Sequence, residues 1–256
     1  NLVGMQKIKK ILIFGYGDLG TRVKALEANY LIQVHGISRS QARGEDFLTQ
    51  WDWTTNQELP ENIINTEWDS MVIVLKPTSY DEFGYYEGYC EGLLKLAEAT
   101  KNLQCKKVIF ISSTRVYGNQ GNPINKDTKA ISNDFRGAKL LEAESIAAEN
   151  FGSKLTILRF SGLYKDNLDL SYLSPQKTQQ ILPSENINRL SRNDAALIIA
   201  SVCSSTSMQK EILICSEPTF NCKDYFESEF PEYQFNDSFV CKEQGKIFLQ
   251  EALFRP

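Results

Sequence analysis

The run Gly15-Tyr16-Gly17-Asp18-Leu19-Gly20 constrains this chain more than any other stretch, because of where it stands. It follows directly on Ile11-Leu12-Ile13-Phe14, a continuously apolar segment of the kind that forms a strand buried on both faces of a parallel sheet. Beyond it Leu19, Val23, Leu26 and Tyr30 recur at helical spacing, and residues 32–37 read as a second strand. A GxGxxG run alone is weak evidence, but one that closes a strand and opens a helix has the context that dinucleotide binding needs. There Gly15 allows the tight turn, Gly17 lets a pyrophosphate approach the backbone, and Gly20 lets the helix pack closely on the sheet. The helix N-terminus adds unpaired amides and a positive dipole end for the phosphates.

The alternation of strand and helix continues. A weaker strand is expected over residues 47–53, a strong buried one over Met71-Val72-Ile73-Val74-Leu75 with Pro77 ending it, and a helix over 86–101 with Tyr89, Leu93, Leu96 and Ala97 on one face. Then come a strand at Val108-Ile109-Phe110-Ile111, a helix over 137–150, a strand over 155–158, a helix over 194–203 and a last strand over 211–215. This order implies an α/β fold, a Rossmann-type doubly wound parallel sheet that binds its ligand beyond the carboxyl ends of the strands. Residues 165–191 are polar, carry Pro175 and Pro183, and read as loop or lobe. The expected division is a dinucleotide-binding domain over 5–164, its sheet completed by parts of 188–216, and a small substrate-side lobe from 165–187 and 217–256. Residues 1–4 look like an appended remnant ahead of a natural start at Met5.

Composition narrows the function. A formal charge of −4 gives no general attraction to nucleic acid, and no local basic patch is evident. Six cysteines without a CxxC pair and a single histidine, His35, argue against a metal site and for reduced thiols in a cytoplasmic protein. No run approaches the roughly 18 apolar residues of a membrane span. His35, inside a strand, reads as a hydrogen-bonded or surface histidine, and the aromatic cluster Tyr80, Phe83, Tyr85, Tyr86 and Tyr89 reads chiefly as packing of a helix on the sheet.

At the end of the second strand, roughly twenty residues past the motif, NAD-binding chains usually carry a carboxylate for the ribose hydroxyls. Here the residues are Ser38 and Arg39. A guanidinium can hold a 2′-phosphate that a carboxylate would repel, so NADP is expected in preference to NAD, with a solvated Arg39 as the bland alternative.

Beyond the glycine motif lie Ser112-Ser113-Thr114-Arg115-Val116-Tyr117-Gly118, then Leu158-Arg159-Phe160-Ser161-Gly162-Leu163-Tyr164, and Asn188-Arg189-Leu190 before Asp194. With these blocks the chain resembles, over nearly its whole length, the extended short-chain dehydrogenase/reductases, the NAD-dependent epimerase/dehydratase family. Arg136-Gly137 before a Leu-Leu-Glu helix looks more narrowly like an atypical branch containing the YeeZ-like proteins. The resemblance implies further cofactor contacts at Asp52, Trp53, Lys76, Pro77, Ser112 and Lys139. It implies catalytic positions at Ser113 and Lys139, but the usual tyrosine position holds Phe135, which can neither give nor take a proton. Tyr117 is the nearest replacement phenol. The resemblance also implies a small-molecule substrate of the nucleotide-sugar type and a homodimer formed through helices 86–101 and 137–150. Two functions follow: an NADP-dependent oxidoreductase or epimerase with a non-standard active site, or a catalytically inactive NADP-binding redox sensor.

Overall fold

The structure is a computed structural model and describes residues 7–40, 44–120, 122–168, 186–206, 211–229, 231 and 246–256. Seven strands form one sheet: β1 (Lys9–Phe14), β2 (Ile32–Ser38), β3 (Leu48–Gln50), β4 (Trp68–Ile73), β5 (Cys105–Ser113), β6 (Leu155–Phe160) and, later in the chain, β10 (Glu211–Cys215). Their spatial order is β10-β6-β5-β4-β1-β2-β3, and each adjacent pair is parallel. The chain therefore winds outward in both directions from the β1/β4 seam, where a doubly wound sheet opens its ligand crevice.

Burial on both faces explains the continuous apolar strands. Leu12, Phe14, Met71, Ile73, Val108 and Phe110 face a layer that includes Leu93 and Leu96 of helix α5 (Gly92–Thr100) and Ala143 and Ala147 of α6 (Phe135–Phe151). Ile11, Ile13, Val72, Ile109 and Ile111 face the opposite layer, with Val23 of α1 (Asp18–Lys24) and Ala195, Ile198 and Ile199 of α7 (Arg192–Ser204). Lys107 is buried beneath α7 and donates to the carbonyls of Val202 (2.9 Å) and Ser205 (3.0 Å), satisfying the C-terminal end of that helix.

Several boundaries differ from the sequence expectation. The helix expected across residues 19–30 is two, α1 and α2 (Glu27–Tyr30), because Leu26 leaves helical geometry between them. The third strand is only three residues long, since Trp51 and Trp53 turn into the core against Phe14 instead of extending the sheet. Strand β4 ends at Ile73, short of Pro77, although Val74 N still donates to Phe14 O of β1 at 2.9 Å where the chain passes the glycine loop. The helix expected over 86–101 opens with a π-helical turn, Tyr86–Glu91, preceded by α4 (Glu82–Tyr85).

Beyond β6 four short strands appear that the sequence did not predict: β7 (Gly162–Tyr164) pairs with β9 (Arg189–Ser191), and β8 (Asn186–Ile187) pairs with β11 (Phe220–Asn221), so β10 is not the last strand. Pro175, Pro183 and Cys241 lie outside the described residues, as do residues 1–4. The final segment returns to the body of the fold, where Phe248 and Leu253 pack with Tyr117, Leu140 and Ile214. Packing does not account for the whole aromatic cluster: Tyr80 and Phe83 are 80% and 69% exposed, and Tyr86 is exposed as well. His35 hydrogen-bonds Thr49 Oγ1 at 2.8 Å, and burial pulls its pKa down.

A polar network sits inside β5, β6 and α6. Arg159 donates to both carboxylate oxygens of Glu144 (3.0 and 2.6 Å) and to the Tyr117 hydroxyl (2.8 Å), while Ser112 donates to Glu144 at 2.6 Å. A fork-on-carboxylate pair this buried is costly to break, because either charge left alone has no solvent to receive it. Glu144→Leu is expected to lower unfolding stability by about 3–5 kcal/mol. The double variant Glu144→Leu/Arg159→Met is expected to recover part of that loss. Urea denaturation of the two variants beside wild type checks both.

Candidate functional site: a cleft over the glycine loop

Gly15 leaves β1 with φ +78°, and an added Cβ would stand 1.9 Å from the Val74 carbonyl oxygen. Only glycine permits that turn and that approach together. The amides of Gly15 and Tyr16 are satisfied by Ile37 O (3.1 and 3.0 Å), which ties the loop to the end of β2. Gly17 caps α1 without a side-chain hydrogen bond, so the first-turn amides of the helix face outward.

At Gly17, by contrast, no side chain or backbone among the described residues stands where a Cβ would go. A Cβ there would meet only the Gly15 carbonyl oxygen, at 3.9 Å, and the residue lines a cleft of about 790 Å³. Its missing side chain leaves backbone exposed to that cleft, as close approach of a phosphate requires. Gly20 has another reason than the one expected. A Cβ there would meet the Tyr16 ring at 2.6 Å, and one at Gly36 would meet the same ring at 2.5 Å, so the two glycines make room for Tyr16. The Tyr16 ring sits edge-on to Phe47, and burial raises its pKa.

The cleft runs across the carboxyl ends of β1, β2 and β4. It gathers Gly15, Tyr16, Gly17, Asp18 and Leu19 with Ser38, Arg39, Trp53 and Lys76, all named from the sequence. Arg39 stacks its guanidinium 5.1 Å from the Trp53 ring. The cleft also takes in Leu163 of the third resemblance block, and residues that sequence reasoning did not single out: Thr54, Thr78, Glu87, Glu91, Lys95 and Arg192. Glu91 and Lys95 pair at 2.7 Å in helical i,i+4 spacing, which in sequence is indistinguishable from an ordinary solvated pair. Thr78 donates to Glu87 at 2.5 Å, and the π-helical turn brings Glu87 and Gly88 to the wall. Gly88 lies so close to the segment after β4 that a Cβ would be 2.3 Å from Lys76 O.

The remaining sequence candidates lie elsewhere. Asp52 turns back to its own loop and accepts from Thr54 N (2.9 Å) and Oγ1 (2.7 Å). Pro77 packs against Gly88, and Ser112 is committed to Glu144. Ser113 caps the 3₁₀ turn Thr114–Tyr117, accepting from Arg115 N at 3.2 Å. Lys139 pairs with Glu142 at 2.9 Å and rests 5.4 Å from the Tyr86 ring, and Phe135 stacks edge-on against Tyr85 at 5.7 Å. None of Ser113, Phe135 and Lys139 lines the cleft. Tyr117, the nearest replacement phenol in the sequence, is 1% exposed, its hydroxyl is held by Arg159, and burial raises its pKa.

Among the described residues no cluster of three metal-ligating side chains forms, and no helix is long and apolar enough to cross a membrane.

The profile of the NAD dependent epimerase/dehydratase family matches residues 11–195. Curated protein sequences give no significant match. Among solved structures, the UDP-glucuronic acid 4-epimerase of Bacillus cereus in complex with NAD superposes with a TM-score of 0.70 at 18% identity, covering 95% of this chain and 90% of that one. The UDP-N-acetylglucosamine 4-epimerase of the same organism gives 0.66 at 18% identity over 93% and 86%. The Bordetella bronchiseptica enzyme WbmH in complex with NAD+ gives 0.66 at 14% identity over 94% and 88%. At these identities the likeness establishes the fold.

The two motif glycines are expected to behave differently when substituted. Gly17→Val should abolish dinucleotide binding, at least tenfold in Kd, with a melting temperature close to wild type, since the added atoms enter the cleft. Gly15→Ala should lower stability by at least about 2 kcal/mol through its positive φ and the Val74 contact. Fluorescence titration with NADPH and thermal melts of both variants test the contrast.

Proposed function

The chain belongs to the NAD dependent epimerase/dehydratase family, and on that footing we propose that it is an NADP-dependent oxidoreductase or epimerase. Its substrate in this reading is a small molecule of the nucleotide-sugar class, and it works in the cytoplasm as a homodimer. The observation that carries the cofactor reading is the bare backbone of Gly17 at the floor of a cleft long enough to include both Lys76 and Lys95. A nicotinamide dinucleotide bound there supplies the hydride donor and acceptor.

The protein's own residues divide the work of binding. The glycine loop and the outward amides of α1 face the diphosphate, while Ser38, Arg39, Trp53, Thr54 and Lys95 form the adenosine end. The preference for NADP is supported by two cations at that end, Arg39 and Lys95, and by the absence of a carboxylate at the end of β2. Arg39 is positioned by its stacking on Trp53, which is itself anchored edge-on against Phe14. Lys76, Thr78 and Glu87 form the polar wall after β4.

The nucleotide-sugar class is supported by the structures of like fold, which include epimerases named for UDP-glucuronic acid and UDP-N-acetylglucosamine. For the homodimer the support is the exposed aromatic and aliphatic surface of Tyr80, Phe83, Tyr86 and Leu94 beside α6. The free cysteines Cys90, Cys105, Cys203, Cys215 and Cys222 agree with a reducing compartment.

Two outcomes check these readings. Arg39→Ala is expected to weaken NADPH binding about tenfold, the scale of one charge-assisted hydrogen-bond pair, and to leave NADH within about twofold. Equal weakening of both would remove the 2′-phosphate from the argument. The double variant Phe83→Asp/Leu94→Asp is expected to sediment as a monomer where wild type sediments as a dimer, and a monomeric wild type would sink the homodimer.

A further inference from the structure

We propose that Arg192 is the diphosphate clamp of the cofactor cleft, a guanidinium brought to the glycine loop from the far end of the chain. The inference rests on the reading of the cleft as a dinucleotide site and goes beyond it by assigning the phosphate charge to one residue outside the glycine motif.

Arg192 is the first residue of α7 and lies 172 positions beyond Gly20, yet it lines the same cleft as Gly17, Asp18 and Leu19. It arrives there because β9 pairs with β7 beyond the sheet edge and Ser191 caps α7, accepting from Asp194 N at 3.0 Å, while α7 packs along α1. A cation at the first position of a helix opposes the helix dipole, so helix stability does not account for it. Burial does not account for it either, because the side chain is 37% exposed.

The charges around Asp18 separate two guanidiniums with different tasks. Asp18 sits inside the glycine motif, where an isolated carboxylate would repel phosphates. Arg22 neutralises it, with Nε 3.0 Å from Oδ2. The rest of that guanidinium is engaged with Asn193 (2.5 Å) and Asp166 (3.8 Å), and Arg22 does not line the cleft. Arg192 touches Asp18 through Nη1 alone, at 3.2 Å. That contact fixes its place at the mouth and leaves further donors of a five-donor fork to point at a ligand. The surrounding balance agrees: among the described residues the cleft is lined by Arg39, Lys76, Lys95 and Arg192 against Asp18, Glu87 and Glu91, an excess of one positive charge in a chain of formal charge −4. With Arg39 and Lys95 at the adenosine end and Lys76 after β4, Arg192 is the cation adjacent to the glycine loop.

Because the diphosphate is common to both dinucleotides, Arg192→Gln is expected to weaken NADPH and NADH alike, each about tenfold, in contrast to Arg39→Ala. The dependence of Kd on salt should become shallower, since one screened cation–phosphate attraction is lost, and Arg192→Lys should recover part of the affinity. Titrations at several salt concentrations, with a thermal melt of each variant, read these effects. An Arg192→Gln Kd within twofold of wild type overturns the clamp and leaves the cofactor site standing. So does a loss that keeps the wild-type salt slope and comes with a lowered melting temperature, since that marks a structural role. Wild-type protein that binds neither dinucleotide overturns the clamp together with the cofactor reading beneath it.

Discussion

Gly15 passes the carbonyl of Val74 at a distance that excludes any side chain, and the arrangement of the cleft follows from this one approach. The close pass locks the end of β1 against the segment after β4 at the point where the sheet's winding reverses. It also requires a positive φ, which turns the chain out of the sheet plane and lets Ile37 O accept from both Gly15 and Tyr16. With those two amides spent on β2, the next residue is delivered to the cleft with its backbone bare. The glycine motif is thus two devices in series: Gly15 serves the protein's packing, and Gly17 serves whatever enters. Gly20 belongs with the packing, since it clears space for the Tyr16 ring that spans α1 and β2.

The buried network of Arg159, Glu144, Ser112 and Tyr117 bears on the chemistry because of what it withdraws. Tyr117 and Ser112 stand in the block that sequence resemblance brings to the active site, yet their hydroxyls are consumed by a charge pair below the site. Two further phenols, Tyr89 and the part-exposed Tyr164, follow the same direction. Burial pushes Tyr89 up to about 12, and burial with the neighbouring Glu217 carboxylate pushes Tyr164 up to about 12. A phenol that exchanges protons near neutral pH needs its pKa lowered by a nearby cation with access to substrate. Lys139, the residue expected to do this, pairs with Glu142, and the position it would act on is Phe135. The tyrosine-lysine pair that the resemblance implies is therefore not assembled at Phe135 and Lys139, while the glycine loop at the cleft is intact.

What was legible in the sequence follows from the range of the interactions involved. Continuous apolar strands, helical periodicity and the glycine spacing are local patterns, and they gave the alternation, the parallel sheet and the loop at the end of β1. Arg39 was legible because the end of the second strand faces the cleft in a doubly wound sheet, and Trp53 was named only through the family resemblance. Boundaries were less so: a π-helical turn at Tyr86–Glu91 and the inward turn of Trp51 depend on tertiary packing that periodicity does not record. Asp52 and Lys139 had the right positions but the wrong neighbours, each finding a closer partner in Thr54 and Glu142. Glu87, Lys95 and Arg192 carried no local signal at all, since a charged residue on a helix is solvated unless something distant faces it.

That distance organises the cleft's electrostatics. Among the described residues, four lining cations come from four separate segments: Arg39 after β2, Lys76 after β4, Lys95 within α5 and Arg192 at the start of α7. No segment is basic by itself, which is why composition suggested only an acidic protein with no affinity for phosphate chains. Convergence at the carboxyl edge of the sheet turns these scattered charges into a local field of the opposite sign to the whole molecule. Two of the three lining carboxylates are themselves paired, Asp18 with Arg22 and Arg192, and Glu91 with Lys95. Such pairing holds long side chains in place in the absence of a ligand's charge and lowers the entropy lost when an anion takes up the same cations. Glu87, bonded instead to the hydroxyl of Thr78, is the lining carboxylate whose charge is left to act on the contents of the cleft.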